Sequence, residues 1–227
     1  MSISHLFEPD EDELVEHYPN SAEHAADGIV HAIGIVLALI GGGVLFSVAM
    51  VHGGATIAGA VALYALCVIL MLACSAIYNL TSPSSARRLL RRLDEAAIFL
   101  MIAGSYTPFI MKLWPPYWDL AATSLIWIAA LAGGAGKVLA TNISDKVWCL
   151  IYLAFGWLAV LVIGPAAINM PALAFGLLVA CGVTYSAGVL IYLNHSVPFR
   201  RALWHGVVVL AAALHYSAMF VTLAPNV

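Results

Sequence analysis

The chain has 227 residues, of which 63% are hydrophobic and 9% charged, with a formal net charge of −3. Its mean hydropathy is +0.97. A soluble domain carries roughly a quarter charged residues, so this composition excludes an ordinary water-soluble globule and points to an integral membrane protein. The charges are segregated: eight of the 12 acidic residues precede Gly28, and six of the nine basic ones are Arg87, Arg88, Arg91, Arg92, Arg200 and Arg201. What remains is a series of apolar blocks of about twenty residues, the length that crosses roughly 30 Å of hydrocarbon.

In chain order, residues 1–26 are polar and acidic, with the run EPDEDELVEH. They read as a disordered, solvated cytoplasmic tail; no basic n-region with a short apolar stretch marks a cleaved signal. Residues 27–227 read as one transmembrane domain. The spans are predicted at 28–51, 55–79, 95–114, 119–138, 147–168, 171–193 and 202–223. Their connections (HGG, WPPYWD, TNISDK, GPAAINMP, NHSVPF) hold the Gly, Pro, Asn, Asp and Ser that punctuate helices. The runs are long and continuous rather than alternating with period two, so helices are expected and not a barrel. The small residues of GGGVLFSVA, AGAVA and LAGGAGK suit close helix packing. Cys67, Cys74, Cys149 and Cys181 lie inside apolar segments without CxxC spacing and read as small core residues.

With seven spans, Arg87, Arg88, Arg91, Arg92, Lys137, Lys146, Arg200 and Arg201 fall on the side of the N-terminus, and Lys112 alone on the other. The positive-inside rule then puts the N-terminus in the cytoplasm and the C-terminus outside. The expectation is an all-α, seven-transmembrane helix bundle, multi-pass in the inner (plasma) membrane. Its expected partners are membrane lipids; neither nucleic acid nor a protein partner is indicated.

Polar groups inside a bilayer are rare and mark function. Ser75 and Asn79 end the second predicted span, Asp94 precedes the third, and Arg201 and His205 begin the seventh. Asp27 and His31 enter the first span, with Glu23 one turn earlier. Spacings of four put each pair on one helix face, and the topology puts all of them in one layer near the cytoplasmic surface. His215, ten residues past His205, lies about 15 Å deeper and reads as a helix–helix contact.

The segments SAIYN (75–79), LDEAAIFLMIAGSYTPF (93–109), ALWHGVVVLAAALHY (202–216) and EHAADGIVHAIG (23–34) closely resemble the hemolysin III family, the bacterial branch of the progestin and adipoQ receptor superfamily. The resemblance spans nearly all of the transmembrane part. It implies seven helices with the N-terminus inside, and a zinc ion near the cytoplasmic face in a site like that of membrane ceramide hydrolases. It further implies a serine at Ser75 and, at Asp94, an aspartate that orders metal-bound water. The implied zinc ligands are three histidines, but the chain has Asn79 and Arg201 at two of those positions and keeps only His205. Glu95 stands where a histidine often follows the aspartate, and Asp27 where asparagine is usual; Glu23 and His31 fit the pattern.

Asn is a poor zinc ligand and Arg stays protonated, so the metal site is expected to be degenerate. Arg201, paired with Asp94 and bonded to Asn79, is expected to supply the positive charge instead. The leading functional expectation is therefore a lipid-related membrane protein with a cytoplasmic-side polar site. The alternatives are a zinc-dependent, ceramidase-like hydrolase of a lipid amide using Ser75, Asp94 and His205, a pore-forming cytolysin, and a proton-coupled transporter relaying through Asp27, His31, Asp94 and His205.

Overall fold

A computed structural model describes residues 18–140 and 143–224. Among these, regular structure is entirely helical: α1 (Ser21–Leu80), α2 (Arg87–Leu113), α3 (Trp118–Leu139), α4 (Asp145–Trp157), α5 (Ala159–Val162), a 3₁₀ segment (Gly164–Asn169), α6 (Ala172–Leu193) and α7 (Arg200–Leu223). Six helical stretches are long and apolar enough to cross a membrane. Most of the acidic tail, residues 1–17, lies outside the described residues. Its expected last turn is helical: Asn20 Oδ1 accepts the Glu23 amide at 2.9 Å, and Ser21 starts α1. This N-cap satisfies a donor that the first helical turn leaves free.

α1 counts 60 residues, about 90 Å if straight and three times the hydrocarbon thickness. It is not straight. Gly54 sits at φ 74, ψ −177, a region essentially reserved for glycine, and the chain reverses there. A Cβ on Gly28 would face Leu80 at 3.8 Å, one on Gly34 would face Leu72 at 3.6 Å, and one on Gly42 would meet the Ala65 Cβ at 2.9 Å. These pairs straddle Gly54 almost symmetrically, so α1 is an antiparallel hairpin of two arms. The HGG connection expected between the first two spans is its tip. Small residues at the crossing let the backbones approach, as in membrane helix pairs generally.

α2 begins at Arg87, eight residues before the predicted span. The basic segment expected as a loop is helical, and Arg91 and Arg92 within it find acceptors on neighbouring groups. Arg91 Nη2 bonds both Asp145 oxygens at 2.8 and 2.9 Å, and its Nε bonds Glu95 at 2.9 Å. Arg92 donates to the Val138 carbonyl at the end of α3. The predicted fifth span is broken into α4, α5 and the 3₁₀ segment, whereas α3, α6 and α7 match their predictions within two residues. α1 packs on α2 and α7, α2 on α3, and α6 on α7. Arg200 Nη1 donates to the Tyr192 carbonyl at 2.6 Å, satisfying an orphan acceptor at the end of α6 and fixing where α7 starts.

Candidate functional site

The hairpin explains how residues 44 positions apart meet. Reversal at Gly54 lays Asp27 and His31, on the first arm, beside Ser75 and Asn79 on the second. α7 packs against α1 and brings Arg201 and His205 to the same end. The side chains are withdrawn from the surface: relative exposure is 0% for Asp27, 2% for His31, 5% for Ser75, 3% for Asn79 and 7% for His205.

Asp27 organises one half of the cluster. Its Oδ1 accepts from His205 Nδ1 at 2.6 Å, its Oδ2 accepts from the Tyr18 hydroxyl at 2.5 Å, and its carbonyl accepts from His31 Nδ1 at 2.9 Å. A carbonyl and a carboxylate can only accept, so both imidazoles carry their proton on Nδ1. Each Nε2 lies 3.3 Å from Ser75 Oγ. The two rings sit 4.3 Å apart between centroids.

Asn79 and Arg201 form the other half. Asn79 Nδ2 donates to the Ser75 carbonyl at 3.0 Å and lies 3.4 Å from its Oγ, while Arg201 Nη1 donates to Asn79 Oδ1 at 2.8 Å. The expected bond to Asn79 is therefore formed. The expected pairing with Asp94 is different in kind: Asp94 hydrogen-bonds Ser75, and Arg201 acts on it only through space. The buried Arg201 Nε has no hydrogen-bond partner among the described residues.

Two candidate positions make their contacts outside the cluster. Glu95 points away from the cluster, bonding Arg91 and pairing with Lys137. Glu23 serves the N-terminus of α1, where Asn20 Nδ2 donates to its Oε1 at 3.4 Å. His215 stands apart, edge-on to Phe109 at 5.4 Å and tilted against Tyr64 at 5.0 Å. Tyr18 is the residue that sequence reasoning missed. It is 6% exposed, and Arg201 lies over its ring at 5.9 Å. Burial, reinforced by the bond to Asp27, pushes its phenol pKa up, so it stays a donor. A lone aromatic in an acidic stretch gives no periodic signal that could have singled it out.

The zinc implied by resemblance would draw on three histidine positions. One of them holds an amide and another a guanidinium, bonded to each other, and a cation cannot take its ligands from them. The family's three-histidine set does not fit this chain. The residues that could hold a metal ion are instead Asp27, His31 and His205, whose ligand-capable atoms lie within 4.8 Å of one another.

Below the cluster an apolar hollow of about 280 Å³ lies between both arms of α1 and α7, open on the side where Leu37, Ile40 and Val44 are exposed. It begins at Gly34, Leu72 and Val209, each one turn from His31, Ser75 and His205, and extends to Val44, Tyr64 and Tyr216.

Comparison with known proteins agrees with the sequence motifs. The family model described as haemolysin-III related matches residues 22–216. Hemolysin-3 of Bacillus cereus is 31% identical over 206 residues, covering 90% of this chain and 93% of that protein. The Hemolysin-3 homolog of Bacillus subtilis (strain 168) is 26% identical over 199 residues, covering 87% and 93%. The human monocyte to macrophage differentiation factor is 26% identical over 226 residues, covering 89% and 85%. No solved structure matches the chain.

Proposed function

The chain belongs to the haemolysin-III-related family, and we propose that it is a lipid-binding protein of the inner (plasma) membrane. In this reading its polar centre engages the head of a membrane lipid while the adjacent cavity takes the acyl chain. Counting the two arms of α1 separately gives seven crossings, with the N-terminus cytoplasmic and the C-terminus outside. The eight-to-one distribution of basic residues supports that orientation.

The observation that carries the lipid reading is the register between centre and cavity. On three separate helix segments, the residue one turn deeper than a polar group lines an apolar hollow. A ligand with a polar head and one apolar tail matches that arrangement, as sites of this kind join apolar walls to a few placed polar groups. The Arg201–Asn79 bond argues against a ceramidase-like hydrolase that uses three zinc-bound histidines. The relatives' name haemolysin describes those proteins; for this chain a lytic pore is the weaker reading, since a water-filled lumen needs polar walls.

A diazirine-bearing acyl lipid in nanodiscs tests the proposal. Crosslinks are expected on peptides containing Leu37–Val44 and Val209–Tyr216, and Ala212→Trp should remove them by filling the cavity. Labelling no stronger there than on the lipid-facing Leu125–Leu131 side of α3 would overturn it.

A further inference from the structure

From the distances within the polar centre, we propose that Ser75, His205 and Asp27 form a nucleophile–base–carboxylate relay that cleaves the acyl ester of a membrane lipid without a metal. The assignment rests on the lipid-site reading above for its substrate class, and on separate distances for its chemistry. Ser75 Oγ lies 3.3 Å from His205 Nε2, and His205 Nδ1 lies 2.6 Å from Asp27 Oδ1. A hydroxyl on one ring nitrogen and a buried carboxylate on the other is the arrangement that activates serine in unrelated hydrolases, recognisable by geometry and not by position in the sequence.

His31 is the competing base, because its Nε2 is also 3.3 Å from Ser75 Oγ. The two differ behind the ring. His31 Nδ1 donates to the neutral Asp27 carbonyl, whereas His205 Nδ1 donates to the Asp27 carboxylate. An imidazolium formed on His205 is paired with a buried negative charge; one formed on His31 has that carboxylate only at 3.7 Å. The base is therefore His205. The Tyr18 hydroxyl on Asp27 Oδ2 holds the carboxylate so that Oδ1 faces the ring, which makes Tyr18 and Asp27 positioning residues.

In the first step Ser75 Oγ bonds to the ester carbonyl carbon as its proton passes to His205 Nε2. The tetrahedral oxyanion collapses, the carbon–oxygen bond to the alcohol breaks, and the alcohol oxygen takes the proton from Nε2. The acyl group then sits on Ser75 with its chain in the cavity. A water molecule from the cytoplasmic side attacks it, again giving its proton to His205, and fatty acid leaves as Ser75 is reprotonated. Asn79 Nδ2, 3.4 Å from Oγ, is the donor nearest the oxyanion, and Arg201, bonded to the same amide, adds positive charge behind it. The two residues that break the zinc set thus supply electrostatic stabilisation in its place. Asp94, bonded to the same hydroxyl, opposes negative charge there, and Arg201 and Arg91 act on it through space.

The test uses the full chain in detergent with alkyl fluorophosphonates of short and long chain, read by intact mass and peptide mapping. We expect a single adduct on Ser75, unaffected by EDTA, with no adduct in Ser75→Ala. His205→Ala should label on the order of 100-fold more slowly or worse, and far more slowly than His31→Ala. Asp27→Asn should lower the maximal labelling rate while leaving the half-saturating probe concentration unchanged, which a merely loosened site would not do. An unlabelled Ser75 in the folded wild-type chain, labelling that His205→Ala does not slow, or labelling abolished by EDTA would each overturn the relay. A short-chain adduct without preference for the long-chain probe would sink the lipid cavity and leave the relay standing.

Discussion

Arg201 is the residue on which the family's chemistry and this chain's diverge most. It is a cation whose one charged hydrogen bond goes to a buried amide oxygen. A hydrogen bond to a charged group contributes roughly 1.5–3 kcal/mol, and its removal also leaves Asn79 Oδ1 without a donor in a buried place. Arg201→Ala is therefore expected to destabilise the protein by about 2 kcal/mol, measured as denaturant unfolding in a fixed detergent; Arg201→Lys should recover only part, because an ammonium lacks the planar fork. An unchanged unfolding midpoint in Arg201→Ala would remove the bond from the account. The polar residues of this layer were legible in the sequence, since polar pairs spaced by four at the ends of apolar runs are costly in a bilayer unless they face partners. Who those partners are was not legible. Periodicity puts His205 and Asp27 on inward faces, yet only tertiary contact makes one the other's acceptor. Tyr18 carried no pattern at all.

At the scale of elements, the site exists because α1 turns back on itself. The sequence showed two apolar blocks separated by His52, Gly53 and Gly54, and a break was legible there. That helical pairing continues to within one residue of the reversal was not, because propensity cannot say how sharply a glycine bends. With φ at 74 and ψ at −177, any side chain at Gly54 is strained by about 1–3 kcal/mol, although a Cβ there meets nothing within 4 Å. Gly54→Ala should lower stability by that amount through backbone strain alone. Gly59→Ala, in a helical position with equally open space, should be neutral or slightly stabilising by propensity. Equal midpoints for the two variants, in the same unfolding assay, would mean that the tip relaxes and does not fix the pairing of Asp27 with Ser75. α2 teaches the complementary lesson. A run with four arginines looks like a solvated loop until Asp145, Glu95 and the Val138 carbonyl are seen to receive Arg91 and Arg92; most of those acceptors lie on other elements, and no local window contains them all.

At the scale of the whole molecule, the apolar hollow continues the polar centre along the two arms of α1 and α7, one turn further along each segment. Such an order suits a ligand drawn from the inner leaflet and does not suit conduction, which needs a polar path through the full thickness. Past the centre, the side chains between His205 and His215 that face α1 include Val208 and Val209, and Leu72 and Val68 oppose them. A stretch of this length walled by aliphatic side chains holds no continuous file of water, since an apolar cavity offers no hydrogen-bond partners and stays dry. Reconstituted into liposomes loaded with a self-quenched dye, the protein is therefore expected to release no more dye than protein-free vesicles of the same lipid composition. Release that rises with protein and is blocked by Ala212→Trp would convert the cavity from a lipid site into a conduit.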